Sequence, residues 1–217
     1  MPQKNDQTND ESSLYQLMLM DLADGLYPPG SPMRVHALAK KYKTSVNPIR
    51  EALRRLEGEG LVTFERNKGA TVTKLNRQDI INIFDVVRLI EPYLVINFAS
   101  KCNAQDVKEL TEIHARLKEV PVIDRYQFGI VDTEFHMRIT KNHPNPRAVH
   151  IWQSQRQLMN TLNHRQQLTK GRYQNILAEH DELIDAFRNN DVQRATEVIG
   201  KHVDGAGRAL IYHLDQA

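Results

Sequence analysis

Asp132 and His136 stand four residues apart, a spacing that puts two side chains on one face of a helix. Phe128, Val131, Phe135 and Ile139 share that face, so the acid and the imidazole are expected to point inward. His180 lies on the apolar stripe of Ile176, Leu183, Ile184 and Phe187, and His202 on that of Val198, Ile199, Val203 and Ala206. Each histidine taken singly fits a hydrogen-bonded core residue. A buried carboxylate, however, must be paired or coordinated. One acid and three imidazoles facing one interior favour a metal site of Asp132, His136, His180 and His202. That donor set suits a divalent ion, zinc first, with nickel, iron or manganese as alternatives. Four protein ligands leave up to two positions of an octahedral shell for a water or a bound carboxylate.

Arg88 is the other unusual residue, a charge among Phe84, Val87 and Leu89. It is either paired with Glu91 at helical spacing or a guanidinium fork aimed at a carboxylate effector beside the metal. The remaining histidines (36, 114, 143, 150, 164 and 213) lack this placement and read as surface or core.

These residues need helices to hold them. Beyond Asn76 the apolar spacing is helical throughout. Gln78–Ser100 forms the most apolar helix, which Pro92 should bend or split. Further helices are marked by Val107–Leu117, Phe128–Ile139, Val149–Leu162, Ile176–Phe187 and Val198–Leu210. Residues 79–215 are thus expected to form an all-helical bundle, joined through a linker at 76–78 to a different module at 12–75. Residues 1–11 read as a disordered tail.

In that first module, Leu14, Leu17, Met18 and Leu22 mark a helix from Ser12 to Asp24. Val35, Leu38 and Ala39 mark a short second helix, followed by the turn Lys43-Thr44-Ser45. Ser45 is placed as an N-cap whose hydroxyl can take an orphan backbone N–H. Ile49, Ala52, Leu53 and Leu56 form one face of the next helix, with Asn47, Arg50, Arg54 and Arg55 opposite. Two strand-like runs follow, Leu61–Glu65 and Ala70–Lys74, joined by the basic turn Arg66-Asn67-Lys68-Gly69. Helix, turn, basic helix and basic hairpin outline a winged helix-turn-helix, in which the second helix enters the major groove of double-stranded DNA.

Charge agrees with this division. Residues 12–75 hold ten Lys/Arg against six Asp/Glu, whereas residues 76–217 hold eighteen of each. The excess sits where phosphates would require it. The single cysteine, Cys102, excludes an internal disulfide framework and a Cys-cluster zinc site. No apolar run reaches membrane-spanning length and the N-terminal residues are polar, so a cytoplasmic protein without a membrane partner is expected.

The segment SVNPIREALRRLEGEGLV with the wing NKGATV resembles the GntR family of bacterial transcription regulators. The helical part resembles the FCD effector domain of its FadR subfamily. The matching residues are Arg88 to Pro92, Asp132 to His136, Asn145-Pro146, Glu179-His180 and His202. The resemblance implies that the acid and the three histidines bind a divalent metal that helps hold a small carboxylate. It also implies a homodimer on a short palindromic operator, with DNA affinity set by the effector. It carries Arg50 over as a DNA contact, with His36, Ser45, Asn47, Arg54, Lys68 and Gly69 beside it, and Arg88 and Asn145 as effector contacts. Lys43 and Val46 stand where the family usually has Gly and Arg. The arginine normally helps read bases, so Asn47 and Arg50 are expected to carry more of the readout.

The expected fold class is therefore mainly α, a winged helix-turn-helix followed by a helical bundle. The expected function is a ligand-responsive transcription regulator and not an enzyme. Two rivals are a metal-dependent helical-bundle enzyme and a DNA-binding dimer with a purely structural metal. No general base at a recognisable spacing accompanies the metal residues, which counts against the enzyme.

Overall fold

The structure, a computed structural model, describes residues 5–65, 69–163 and 168–216. It divides into two compact units. The first holds the described residues up to Leu75 together with Gln157 to Asn163. The second holds Asn76–Arg156 and the described residues from Leu168 onward.

The first unit begins with α1 (Asn5–Ala23), then β1 (Pro32–Met33), α2 (Val35–Lys41), α3 (Val46–Gly58), β2 (Val62–Glu65) and β3 (Gly69–Val72). Helix α1 starts well before Ser12, so residues 5–11 are helical and not a disordered tail. Residues 1–4 lie outside the described set. The sheet is antiparallel in the order β1-β3-β2, with Val62 opposite Val72 and Glu65 opposite Gly69. The sequence pattern missed β1, because two residues, one of them proline, show no alternation. Proline is tolerated there at the edge of the sheet. Leu14, Met18, Leu22, Leu38, Ile49, Leu53, Leu56 and Val72 form the core.

The second unit contains α4 (Arg77–Ala99), α5 (Ala104–Glu119), α6 (Arg125–Thr140), the first part of α7 (Pro146–Asn163), α8 (Lys170–Arg188) and α9 (Val192–Asp215). The helix starts are locally encoded. Asn76 with Asp79, and Asn103 with Asp106, make reciprocal capping boxes, and Asp124, Thr169 and Asp191 cap α6, α8 and α9. Because Asn76 caps a helix that starts at Arg77, no linker runs through 76–78. Pro92 lies inside α4 without splitting it. Its cost of about 3 kcal/mol in a bare helix is offset by burial of Ile80, Phe84, Val87, Leu94 and Val95, at about 1.5–3 kcal/mol each. Helix α4 packs on α9 and α6, α8 on α9 and α5, and α5 on α6.

The end of α7 departs from the expected boundary. Within the first unit, Gln157 Nε2 donates to the Tyr15 hydroxyl at 2.9 Å and to Glu59 Oε2 at 2.8 Å. Such contacts between polar side chains leave no periodic trace in a sequence. Among the described residues no helix is long and apolar enough to cross a membrane.

Candidate metal centre and nucleic-acid interface

Helix α6 supplies Asp132 and His136, α8 supplies His180 and α9 supplies His202. One ligand atom from each comes within 4.8 Å of all the others. The three imidazoles stand nearly equidistant, with ring centroids 5.1 Å apart for His136 and His180, 4.9 Å for His136 and His202, and 5.1 Å for His180 and His202. All three are buried, His180 completely. Phe135 stacks on His180 at 4.1 Å and 8°, which fixes that ring.

The polar atoms at the centre lack partners. Asp132 Oδ1, His136 Nε2 and both nitrogens of His180 are buried without a hydrogen bond. Buried polar groups are normally paired, so convergent orphans point to a missing ligand. Oδ1 of Asp132 lies 3.6 Å from His180 Nε2 and 4.0 Å from His136 Nε2. A metal shell about 2.1 Å in radius spans up to about 4.2 Å, so side-chain adjustment alone would close the cluster around an ion. Burial pushes the pKa values of His136 and His180 down, and neighbouring positive charge adds to it. Both shifts favour the neutral imidazole, the form that can ligate. Burial opposes the charge on Asp132, but Arg156, His136 and His202 together hold its carboxyl below the ordinary value.

Around this cluster stands a layer that the sequence reading missed. Arg156 on α7 pairs with Asp132 through Oδ2, the oxygen not turned to the histidines, and approaches Glu91 Oε1 at 3.8 Å. Glu91, on α4, is buried and lies 2.8 Å from His136 Nδ1, although not in a hydrogen-bonding direction. Burial works against its charge, yet His136 and Arg156 bring its pKa down to about 2. Glu179 accepts from His202 Nδ1 at 2.8 Å. His114, assigned only to surface or core, is buried with its ring 5.4 Å from that of His180.

Arg88 is not in this layer. It is exposed and pairs with Asp204 at 2.5 Å and Asp85 at 2.8 Å, so neither the pair with Glu91 nor a place beside the cluster is observed. The buried row of α4 runs Val87, Glu91, Leu94, and Arg88 lies about 100° around the helix from Val87. Asn145 caps α7 instead, its side-chain oxygen accepting from the Ala148 N–H at 3.1 Å and its amide donating to Tyr93 at 3.4 Å. The inward acid and arginine were legible by register. Glu91 falls four after Val87, and Arg156 falls four after Trp152 and three before Met159.

In the first unit, α3 buries Ile49, Ala52, Leu53 and Leu56 and exposes Asn47, Arg50, Arg54 and Arg55. Arg54 pairs with Glu51 at 3.2 Å, and Arg55 pairs with Glu59 at 3.4 Å while covering the Tyr15 ring at 3.7 Å. Among the described residues, no acid pairs with Arg50. Ser45 occupies the N-cap position of α3, but its side chain makes no capping bond, contrary to expectation. Ser45 is exposed at that helix N-terminus, a position suited to phosphate. His36 is exposed on α2, and Gly69 is exposed at φ +79°, a conformation that favours glycine at the wing turn. Lys68 lies outside the described residues.

An exposed basic helix in a helix-turn-helix with a β-wing, followed by a helical domain with an interior His/Asp cluster, defines a DNA-binding transcription regulator. Comparison with known proteins agrees. Residues 11–72 match the model of bacterial regulatory proteins of the gntR family, and residues 82–205 match the FCD domain. The chain belongs to the gntR family of transcription regulators, with an FCD domain. It is 29% identical over 180 residues to the gluconate operon transcriptional repressor of Bacillus licheniformis, covering 79% of this chain and 73% of that one. It is 25% identical over 212 residues to the galactonate operon transcriptional repressor of Escherichia coli (strain K12), covering 87% and 91%. The fold resembles that of E. coli McbR/YncC, with a TM-score of 0.78 at 19% identity over 94% of this chain and 97% of that one. A GntR regulator from Rhodococcus sp. RHA1 gives 0.74 at 21% identity, covering 94% and 98%.

Proposed function

We propose that this protein is a cytoplasmic, ligand-responsive repressor that binds a short palindromic operator as a homodimer. Its effector is a small carboxylate, a sugar acid foremost. The observation that carries this reading is the convergence of Asp132 Oδ1, His136, His180 and His202 on one buried point, with orphaned donor atoms, inside an FCD domain. Those four residues hold a divalent metal, zinc first. When bound, the ion supplies a Lewis-acidic anchor for a carboxylate oxygen. Arg156 is the guanidinium that faces the effector, because it lies against Asp132 of the cluster, whereas Arg88 is exposed and held by Asp85 and Asp204. The operon names of the gluconate and galactonate relatives support a sugar acid.

Arg50 and Asn47 read base edges. Ser45, His36, Arg54 and the wing at Lys68-Gly69 contact the backbone. A second copy is supported by Val86, Leu89, Tyr93 and Ile96, which form one exposed apolar row on α4. The test is operator binding by fluorescence anisotropy, with DNA from upstream of the gene, while sugar acids are added to zinc-loaded and chelator-treated protein. An acid that changes DNA affinity only in the zinc-loaded protein supports the reading. If no acid does so, and chelation alone alters only stability, the metal is structural and the effector reading fails.

A further inference from the structure

We infer that Arg172 is a positioning residue for the metal centre. Seated where only glycine at 205 leaves room, it fixes Glu179, and through Glu179 the nitrogen that His202 offers to the metal. The inference rests on the metal reading above and concerns residues to which that reading gives no role.

Arg172 is a buried arginine near the start of α8. Its Nη1 donates to both oxygens of Glu179, at 2.9 and 3.0 Å, and its Nη2 donates to the backbone carbonyl of His202 at 3.0 Å. One guanidinium thus grips the carboxylate and the backbone of the histidine which that carboxylate contacts. Glu179 Oε2 in turn lies 2.8 Å from His202 Nδ1. An ionised carboxylate only accepts hydrogen bonds, so Nδ1 must carry the proton and Nε2 keeps its lone pair. Carboxylates behind metal-ligating histidines fix both tautomer and ring orientation in this way.

The three histidines are unequally prepared. His136 has Glu91 close by but misdirected, and His180 has no hydrogen-bond partner on either nitrogen. His202 alone has a complete chain behind it, and the chain ends at Gly205. A Cβ at that position would stand 2.5 Å from Arg172 Nη1 and 2.8 Å from Cζ. The obstructed atoms are the tip of a flexible side chain, so alanine would expel the guanidinium and leave the backbone in place. Alanine also favours a helix more than glycine does. Gly205→Ala therefore separates the relay from the stability of α9.

The experiment uses full-length protein, metal-free and zinc-titrated against a chromophoric chelator, as wild type, Gly205→Ala, Arg172→Met and Arg172→Lys. Gly205→Ala should keep its fold and helical content, with a melt lowered by loss of the Arg172 bonds when metal-free, yet bind zinc about 10–100-fold more weakly. Arg172→Met should lose as much, and Arg172→Lys, which keeps the charge without the fork, should recover part of it. Long-range ¹⁵N NMR of the metal-free proteins should show His202 as the Nδ1–H tautomer in wild type and as a mixture in Gly205→Ala. Unchanged zinc affinity with an unchanged tautomer in Gly205→Ala overturns the inference. A wild type that binds no zinc sinks the metal reading itself. In that case a retained shift in the His202 tautomer still upholds the relay, and its absence removes it.

Discussion

Replacing His180 with leucine should invert the order of stabilities between the metal-free and the metal-loaded protein. The ring is fully buried, stacks on Phe135 and has no hydrogen-bond partner for either nitrogen. Leaving one buried polar group unsatisfied costs about 1–3 kcal/mol. Leucine is of similar volume and has no polar atoms, so it relieves that cost at the price of a changed shape, typically under about 1.5 kcal/mol. The metal-free variant should be more stable than the metal-free wild type by about 1–2 kcal/mol, allowing for that shape change. At about 2–4 °C per kcal/mol for a chain of this size, its melt should lie a few degrees higher. Zinc at a thousand times its dissociation constant adds about 4.1 kcal/mol to a protein that binds it only when folded. Wild type should gain roughly 8–16 °C on that scale. The variant, with one ligand gone, should gain little, and the order reverses. Calorimetric melts of both proteins with chelator and with zinc measure all four states. A metal-free variant melting well below wild type would mean that His180 makes polar contacts essential to the fold. If, in addition, zinc moved neither melt, the metal centre would be refuted.

Three further outcomes follow from the same geometry. Arg50→Ala should weaken specific operator binding by about 1–3 kcal/mol and relax sequence preference, with the fold intact; unchanged affinity and preference would show that α3 is not the reading helix. Arg156→Lys should weaken binding of the effector acid, since a point charge cannot replace a fork, while Arg88→Lys should not; calorimetry showing the reverse would restore Arg88 to the site. Leu89→Glu, in the middle of the exposed row on α4, should shift the protein toward monomer in sedimentation and reduce operator affinity; a variant as dimeric as wild type would move the seam elsewhere.

The fold class and the four clustered residues were legible because both depend on helical period. Asp132 and His136 at i,i+4, and His180 and His202 on apolar stripes, could face nothing but the interior. Register also explains the error at Arg88. A charge beside apolar residues looked inward by neighbourhood, but the row of α4 passes through Val87, Glu91 and Leu94. The same criterion applied to α7 would have found Arg156. Other features had no signal of that kind. The Glu179–Arg172 pair spans seven residues of one helix, and the room for Arg172 is left by a glycine on another. The helical start of α1 and the two-residue β1 are too short or too polar to show a period.

Asp132 can serve two partners because its oxygens are divided between them. Oδ1 faces the histidines without a hydrogen bond, and Oδ2 holds Arg156. A metal can therefore join Oδ1 without displacing the arginine. Around the cluster Arg156 pairs with Asp132 and Arg172 with Glu179, Glu91 lies against His136, and Arg125 adds a third positive charge near Asp132. Those three arginines match the three carboxylates, so a divalent ion would leave positive charge in excess. Burial makes an uncompensated charge costly, so the proposed metal-loaded interior favours an anionic effector. A carboxylate effector would meet that demand, with Arg156 as the guanidinium beside Asp132. The charge balance thus supports an acidic effector on grounds independent of the relatives' names.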